Sequence, residues 1–266
     1  MPSKRRVPAE RYDRDYLLSA NTEGFEEFRD GGLSFVKQGQ IERLDLRPGV
    51  HLLEVGFGRG EFLYHCAKQG AAVSAIDYSP AALEIARETL AEFADADLRV
   101  ADCKDLPFES ESFDRVYSGD VLEHQDVEDG VKMLREMHRV LRPGGFMFVH
   151  TAPNTVFTRG VLPLVKPLLR VIGPEALETL EHHMEINREV HVHEYNLFSL
   201  RRVARMANLE GAEIWIDKDI LRSSRHRHTE ALSSSWLVRL AGSLGWVGAV
   251  RFFLGNDLYL KYTRTA

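Results

Sequence analysis

Short apolar runs alternate with helical patterns between residues 50 and 151 of this 266-residue chain. The runs are typical of buried strands, and between them apolar residues recur every three or four positions, as on one face of a helix. Ser79 followed by Pro80 is a helix start signal, and Gly70 is a helix end signal. The predicted strands are VHLLEVG, AVSAID, LRVAD, SFDRVYS and FMFVHTA.

This alternation predicts a parallel sheet whose strands are joined by right-handed helical crossovers. Two further apolar runs, AEIWID and DLYLKYT, bring the number of predicted strands to seven. We therefore predict an α/β fold with a doubly wound, mostly parallel seven-stranded sheet and lid insertions. A ligand of such a sheet lies at the carboxyl ends of the strands.

Several segments lie outside this alternation. We predict that residues 1–45 form an N-terminal helical cap and that residues 46–266 form one domain. Insertions at about 152–195 and 221–255 carry prolines and basic-apolar stretches. These insertions are predicted to cover the ligand crevice. The alternatives are a homodimer contact and a peripheral contact with a membrane surface.

The composition is that of an ordinary globular protein, with 44% hydrophobic and 28% charged residues. A formal net charge of -6 argues against a nucleic-acid partner, because phosphate binding favours a basic face. The two cysteines, Cys66 and Cys103, have no metal-binding spacing. Because the N-terminus carries no export signal and no apolar run reaches about 20 uninterrupted residues, we expect a cytoplasmic protein without an integral membrane segment.

The stretch LLEVGFGRGEF places three glycines directly behind the first predicted strand, at positions 56, 58 and 60. A dinucleotide-binding G-x-G-x-x-G loop has its third glycine where this chain has Glu61, and a carboxylate there would repel a pyrophosphate. The loop therefore predicts a ligand without phosphate that approaches a bare backbone. Tight strand-to-helix turns also use glycine for geometry alone.

Acidic residues stand at the ends of the next three predicted strands. Asp77 ends the second strand, where a carboxylate can accept both ribose hydroxyls of an unphosphorylated nucleoside. Asp102 ends the third, where it can accept an adenine amino hydrogen beside the backbone of Cys103. Asp120 ends the fourth. Aspartates at strand ends also serve as helix N-caps, but these three converge on one edge of the sheet.

The order and spacing of five motifs resemble those of class I S-adenosylmethionine-dependent methyltransferases. The motifs are LLEVGFGRGEF, AIDYSPAALEIAR, ADCKDLPFESESFD, VLEH and HRVLRPGG. The likeness is strongest over about residues 45–155 and is closest to the branch with ubiquinone- and menaquinone-biosynthesis enzymes and many small-molecule O-methyltransferases. It implies a Rossmann-like methyltransferase fold, S-adenosyl-L-methionine as cofactor and S-adenosyl-L-homocysteine as product.

The resemblance also implies a set of cofactor-binding positions. In the family the glycine loop bends around the methionine part, the carboxylate matching Asp77 holds the ribose, and the one matching Asp102 contacts adenine. Glu54 matches an acidic residue linked to the cofactor's amino group. Phe57 departs from the family, which usually has a small residue or cysteine there, but this position contributes mainly backbone. The full set is Glu54, Gly56, Phe57, Gly58, Gly60, Asp77, Tyr78, Asp102, Cys103 and Asp120.

Methyl transfer is an in-line displacement, so the protein chiefly has to orient the acceptor, and a general base helps where the acceptor is a hydroxyl. His124, directly after the fourth strand, and His193, ahead of the last large helix, are the candidate bases. Alternatively, Glu123 and His124 organise their loop and His193 is structural. Tyr12 and Tyr16 could close over the cofactor or lie on a surface helix.

The histidine-rich segment EHHMEINREVHVHE contains several residue types that bind metal ions. Tandem His182 and His183 point apart on a helix, however, and no H-E-x-x-H spacing occurs. We therefore predict no metal.

The predicted function is transfer of a methyl group from S-adenosyl-L-methionine to an oxygen or nitrogen of a small molecule such as a sugar, a natural product or a quinone-like phenol. Nucleic-acid methylation is disfavoured because the fourth strand ends in SGDV rather than in an N-P-P-Y motif. The alternatives are a non-catalytic cofactor-binding module and, less favoured, a nicotinamide-dependent oxidoreductase. Glu61 and the lack of a Tyr-x-x-x-Lys pair argue against the latter.

Overall fold

The computed structural model describes residues 7–20, 22–219 and 236–265. Seven strands form one sheet in the order β3-β2-β1-β4-β5-β7-β6. Strands β1 to β5 are parallel, and β7 runs antiparallel to β5 and β6. The strands are β1 (His51–Val55), β2 (Ala72–Asp77), β3 (Asp97–Val100), β4 (Phe113–Gly119), β5 (Leu141–Thr151), β6 (Glu213–Ile216) and β7 (Leu258–Thr263). The predicted doubly wound, mostly parallel seven-stranded sheet is confirmed.

Helices flank the sheet and precede it. Those described before residue 220 are α1 (Arg14–Leu17), α2 (Phe25–Arg29), α3 (Phe35–Glu42), α4 (Glu61–Lys68), α5 (Pro80–Thr89), α6 (Val127–Val140), α7 (Leu162–Ile172), α8 (Pro174–Val190) and α9 (Leu197–Met206). After the gap come helices Trp236–Ser243 and Gly248–Leu254. The Ser79 hydroxyl accepts a hydrogen bond from the Ala82 N–H, so the predicted start of α5 is the observed one.

Side chains alternate between two buried layers along each central strand. Phe146 and Phe148 of β5 pack with α4 and α5 on one face, whereas Met147 and Val149 pack with α6 and α9 on the other. A strand buried on both faces needs an apolar run rather than an alternating one, which is the pattern in its sequence. The RPGG stretch forms an irregularity at the start of β5, between the pairs Phe113–Leu141 and Arg115–Phe146.

The segment 152–195, which shows no strong periodicity, is mostly helical. A π-helical turn over Val156–Val161 leads into α7 and α8. Leu164 and Val171 of α7 are 81% and 79% exposed, so its apolar residues do not form a single buried stripe. Residues 221–235 of the second predicted insertion lie outside the described residues. No helix in the described part of the chain is long and apolar enough to cross a lipid bilayer.

Candidate active site

A cavity of about 370 Å³ lies at the carboxyl edge of the sheet. Its walls come from the loops after β1 to β5, the N-terminal cap, α8 and the loop before β7. The start of β7 belongs to this edge because β7 is antiparallel to β5, which pairs Thr151 with Leu258. Nine of the ten predicted cofactor-binding residues line the cavity: Glu54, Gly56, Phe57, Gly58, Asp77, Tyr78, Asp102, Cys103 and Asp120.

The three glycines of the loop after β1 serve different purposes. All three have positive φ. A Cβ on Gly56 would lie 2.2 Å from Val121 Cγ2, and one on Gly60 would lie 2.9 Å from Leu90 Cδ1, so neighbouring side chains require glycine at these positions. A Cβ on Gly58 would meet nothing within 4 Å. Gly58 is therefore the position where a ligand can approach the backbone, and Gly60 is a packing residue outside the cavity lining.

Asp77 shapes the loop as well as facing the cavity. Its carboxylate accepts hydrogen bonds from the N–H of Gly58, at 3.0 Å, and of Ser79, at 2.9 Å. Burial raises its pKa to about 6, because desolvation outweighs these hydrogen bonds. One side chain thus fixes both the glycine loop and the start of α5, so the capping role and the binding role are compatible.

Three further residues continue the wall beyond Asp77. Tyr78 donates its hydroxyl hydrogen to the carbonyl oxygen of Val7 in the cap, at 3.3 Å. Asp102 accepts the N–H of Lys104 at 3.0 Å, which closes the turn after β3. Cys103 is 8% exposed and packs into the core, so its backbone rather than its thiol is placed to meet a ligand. Phe57 is 3% exposed and equally contributes backbone.

Glu54, near the end of β1, carries a buried oxygen without a partner. Its side chain is 4% exposed, and Oε2 has no hydrogen-bond partner among the described residues. Burial raises the pKa of this carboxyl well above its usual value. An orphaned acceptor on a cavity wall fits a ligand that brings an N–H donor or a positive charge.

A buried ion cluster lies beside the glycine loop. Arg59 and Glu61, both 4% exposed, are joined by a 2.7 Å hydrogen bond, and Lys37 Nζ lies 2.5 Å from the same Glu61 oxygen. Lys37 and Arg59 outweigh burial and hold the pKa of Glu61 below its usual value. The charge of Glu61 is thus neutralised by Lys37 and Arg59. Its repulsion of a pyrophosphate is therefore weaker than that of an unpaired carboxylate.

Arg59 also ties the N-terminal cap to the sheet. Its guanidinium donates to the carbonyl oxygens of Leu17 and Glu23 and to the Thr22 hydroxyl, at 3.1, 2.6 and 2.6 Å. From the sequence alone, an arginine between two loop glycines would be predicted to lie on the surface or to contact a ligand. The cap therefore packs over the cavity through a residue of the cofactor loop itself.

Tyr12 of the cap meets His124 across the cavity. The Tyr12 hydroxyl lies 2.9 Å from His124 Nδ1, and the Val190 carbonyl oxygen lies 3.0 Å from the same nitrogen. Because a carbonyl only accepts, Nδ1 carries the hydrogen and Nε2 carries the lone pair of the neutral ring. Burial, with His191 nearby, lowers the pKa of His124 to about 4, so the ring is neutral near pH 7.

Glu123 is a buried wall residue whose pKa lies near neutrality. It is 1% exposed, and the Thr151 hydroxyl donates to its Oε2 at 2.7 Å. Burial and the charge of Asp120 raise its pKa to about 7. A base is most effective when its pKa is near the working pH, so Glu123 is better matched to proton transfer than His124.

The two histidines after α8 diverge. His191 lines the cavity, whereas His193 is not among the lining residues and packs its ring on Tyr195 at 4.7 Å. The segment is a loop rather than a strand, because the N–H groups of Val192 and His193 both donate to the Glu123 carbonyl oxygen. The structure thus brings His124 and His191 together and leaves His193 apart.

Within the described residues, ligand atoms of Glu123, His124 and His191 lie within 4.8 Å of one another, close enough for a metal ion to bridge them. His182 does not line the cavity, and His183 hydrogen-bonds to the Thr179 carbonyl oxygen within its own helix. The absence of a metal stays a prediction.

Comparison with known proteins agrees with the motifs. Residues 53–149 match a family model described as a methyltransferase domain. A sterol 4-C-methyltransferase of Caenorhabditis elegans is 34% identical over 117 residues, which cover 43% of this chain and 34% of that protein. A ubiquinone biosynthesis O-methyltransferase of Xanthomonas oryzae pv. oryzae is 39% identical over 115 residues, which cover 42% of this chain and 47% of that protein.

A solved structure of phosphoethanolamine N-methyltransferase 2 from Haemonchus contortus, in complex with S-adenosyl-L-methionine, has the same fold. It aligns over 98% of this chain and 60% of that chain, with a TM-score of 0.65 and 18% identity. Together the matches confirm a methyltransferase domain over residues 53–149 and a Rossmann-like fold. The matched segment spans less than half the length of these two curated relatives.

Proposed function

We propose that this protein is an enzyme that transfers a methyl group from S-adenosyl-L-methionine to an oxygen or nitrogen atom of a small-molecule acceptor. The observation that carries the proposal is one cavity whose walls combine the glycine loop and Asp77 with Glu123 and His124. The first pair suits a nucleoside without phosphate, and the second pair suits proton transfer at an acceptor. A binding module would need only the first pair.

The wall residues fit this cofactor. Gly58 leaves space at the backbone, Asp77 and Asp102 offer carboxylates for the ribose and the adenine amino group, and the unpartnered Glu54 oxygen suits an ammonium. When bound, the cofactor supplies an activated methyl group on a sulfonium. The residues of this chain then have to orient the acceptor, exclude water and receive a proton.

Glu123 is the residue we assign to proton removal. A carboxylate with a pKa of about 7 holds a proton taken from a hydroxyl or an ammonium and releases it again near neutral pH. His124, neutral and held by Tyr12 and Val190, orients the acceptor beside it. The predicted catalytic role of His193 has no support in its position, since it does not line the cavity.

Insertion residues contribute to the acceptor side of the cavity. His183, Ile186, Asn187 and Val190 of α8 line it together with His191. This supports a lid role for the segment 152–195, and homodimer formation, a peripheral membrane contact and a cytoplasmic location remain predictions. The relatives carry C-, O- and N-methyltransferase names, so similarity does not select the acceptor atom; we favour oxygen or nitrogen because both carry a removable proton.

Two measurements test the proposal. S-adenosyl-L-homocysteine should raise the unfolding temperature and NAD should not, because a ligand that binds only the folded state stabilises it by RT ln(1 + [L]/Kd). Turnover of labelled S-adenosyl-L-methionine over a panel of amines and alcohols should then find an acceptor. Stabilisation without turnover across the panel would favour the non-catalytic module, and stabilisation by NAD alone would favour the oxidoreductase.

Asp77→Ala should weaken S-adenosyl-L-homocysteine binding by about 1.5 to 3 kcal/mol, the range for hydrogen bonds to a charged group. Isothermal titration at a temperature where both proteins are folded measures this change. Asp114→Ala is the matched control, because Asp114 also accepts a backbone N–H, from His51, but lies at the opposite edge of the sheet. Equal affinities for the unmodified protein and the Asp77→Ala variant would remove Asp77 from the site.

A further inference from the structure

A buried histidine stands between two aspartates at the acceptor end of the cavity. His150, in the apolar strand β5, is 2% exposed. Its Nε2 hydrogen-bonds to Asp257 Oδ1 at 3.0 Å, and its Nδ1 lies 3.0 Å from Asp120 Oδ1. Asp257 reaches the same edge because it directly precedes the antiparallel strand β7. The residue after β4, a residue of β5 and the residue before β7 therefore form one continuous row of side chains, Asp120–His150–Asp257.

The His150 Nε2 contact is a hydrogen bond, whereas the Nδ1 contact with Asp120 is an ion-pair distance, because Nδ1 has no hydrogen-bond partner among the described residues. Two ionised carboxylates offer only acceptors, so both ring nitrogens of His150 carry hydrogens when both contacts are attractive. The two aspartates outweigh burial and raise the pKa of His150 well above its usual value. The row is then carboxylate, imidazolium, carboxylate, with a net charge of one negative unit.

Asp120 is the most exposed of the three residues. All three line the cavity, but the Asp120 side chain is 36% exposed, whereas His150 and Asp257 are each 2% exposed. Its backbone adopts φ 56° and its N–H donates to the His150 carbonyl oxygen at 3.3 Å. A left-handed aspartate is held by its surroundings at an energetic cost, so both backbone and side chain aim this carboxylate into the cavity.

We propose that His150 and Asp257 are positioning residues that hold Asp120 as an anion at the point of methyl transfer, and that the acceptor therefore presents an amine or hydroxyl and no anionic group to it. This inference rests on the proposed function. It divides the work between two neighbouring carboxyls: Asp120 stays ionised and binds the acceptor hydrogen, while Glu123 exchanges the proton.

Other charged or titratable groups act on the row from the elements around it. Glu23 and Lys37 of the cap act on Asp120 with opposite sign, and Glu123 lies one helical turn further along. On the β7 side the Tyr259 ring lies 5.0 Å from the His150 ring. These groups are unchanged in an Asp257→Asn variant, so that variant isolates the contribution of the buried end.

The test compares two cofactor analogues. Sinefungin carries an ammonium where the sulfonium methyl stands, and S-adenosyl-L-homocysteine is neutral there. The unmodified protein should prefer sinefungin, and Asp257→Asn and Asp120→Asn should each lower the ratio of sinefungin affinity to S-adenosyl-L-homocysteine affinity by about tenfold, as for one charge-assisted hydrogen bond. Asp257→Asn removes one negative charge from the row Asp120–His150–Asp257. Either the row becomes neutral, or His150 loses a proton and turns the lone pair of Nδ1 toward Asp120.

Asp217→Asn is the matched control: Asp217 is also a buried carboxylate at this edge, paired with Arg43, but it does not line the cavity. Nitrogen NMR of the histidine rings adds a second readout, and the His150→Gln variant assigns the His150 signals. Both His150 nitrogens should be protonated near pH 7.5 in the unmodified protein. A neutral His150, or an analogue preference unaffected by Asp257→Asn, overturns the inference. Failure of the unmodified protein to bind either analogue overturns the proposed function, and this inference with it.

Discussion

A Glu123→Gln variant should lose about 10² to 10⁴-fold in methyl-transfer turnover, the range that a positioned base supplies. Glutamine keeps the size of the side chain and can still accept the Thr151 hydroxyl hydrogen, but it cannot take a proton. The measurement is the initial rate with labelled cofactor and an acceptor found in the amine and alcohol panel. Cofactor affinity, measured by titration with S-adenosyl-L-homocysteine, should stay near that of the unmodified protein.

The pH profile separates Glu123 from His124. A base works when deprotonated, so turnover of the unmodified protein should rise with pH through about 7, the pKa of Glu123. His124→Ala should lower turnover but keep that rise, because it removes an orienting contact. A rise near pH 4, the pKa of His124, that survives in the Glu123→Gln variant would assign the base to His124 instead.

Glu61→Gln should destabilise the fold by about 3 to 5 kcal/mol, the cost of removing one partner from a buried ion pair. The substitution leaves Arg59 and Lys37 without the carboxylate that both contact. Calorimetry should show a melting temperature lower by roughly 10 °C. S-adenosyl-L-homocysteine affinity should fall as well, since Glu61 begins α4 directly after the glycine loop.

Glu88→Gln is the control for this substitution. Glu88 pairs with Arg14 at 3.1 Å, but both side chains are exposed, and such pairs contribute little to stability because solvent screens them. The sign of the pH dependence gives a second check. The pKa of Glu61 is held below its usual 4.5, so its stabilisation is present above pH 4.5 and is lost as the pH falls through the folded-state pKa. Equal stability losses for the two variants would contradict the assignment.

The sheet could be predicted from the sequence because each strand is a short apolar run bounded by clear signals. The Ser79 cap and the apolar segment FMFVHTA lie on the expected elements. The helices of the segment 152–195 could not be predicted, because α7 exposes Leu164 and Val171. Periodicity identifies a helix by its buried stripe, so a helix whose apolar residues remain in solvent gives no such signal.

The meeting of Asp77, Asp102 and Asp120 at one cavity could be predicted because the ends of parallel strands converge by topology alone. The ion cluster beside the glycine loop and the acceptor side both depend on long-range partners. Glu61 meets Lys37, 24 positions away, and His150 meets Asp257, 107 positions away. A lone histidine in an otherwise apolar strand was the available signal for His150. The sequence could not tell His191 from His193, because the loop at Glu123 decides which ring faces the cavity.

Arg59 of the glycine loop makes three hydrogen bonds to the cap, at Leu17, Thr22 and Glu23, and a fourth to Glu61 at the start of α4. Because one guanidinium holds both the cap and the start of α4, we expect these contacts to break together when the cap moves away from the cavity. We expect the residence time of the spent cofactor to follow the rate of that motion. The rate of multiple turnover would then be limited by product release and not by methyl transfer.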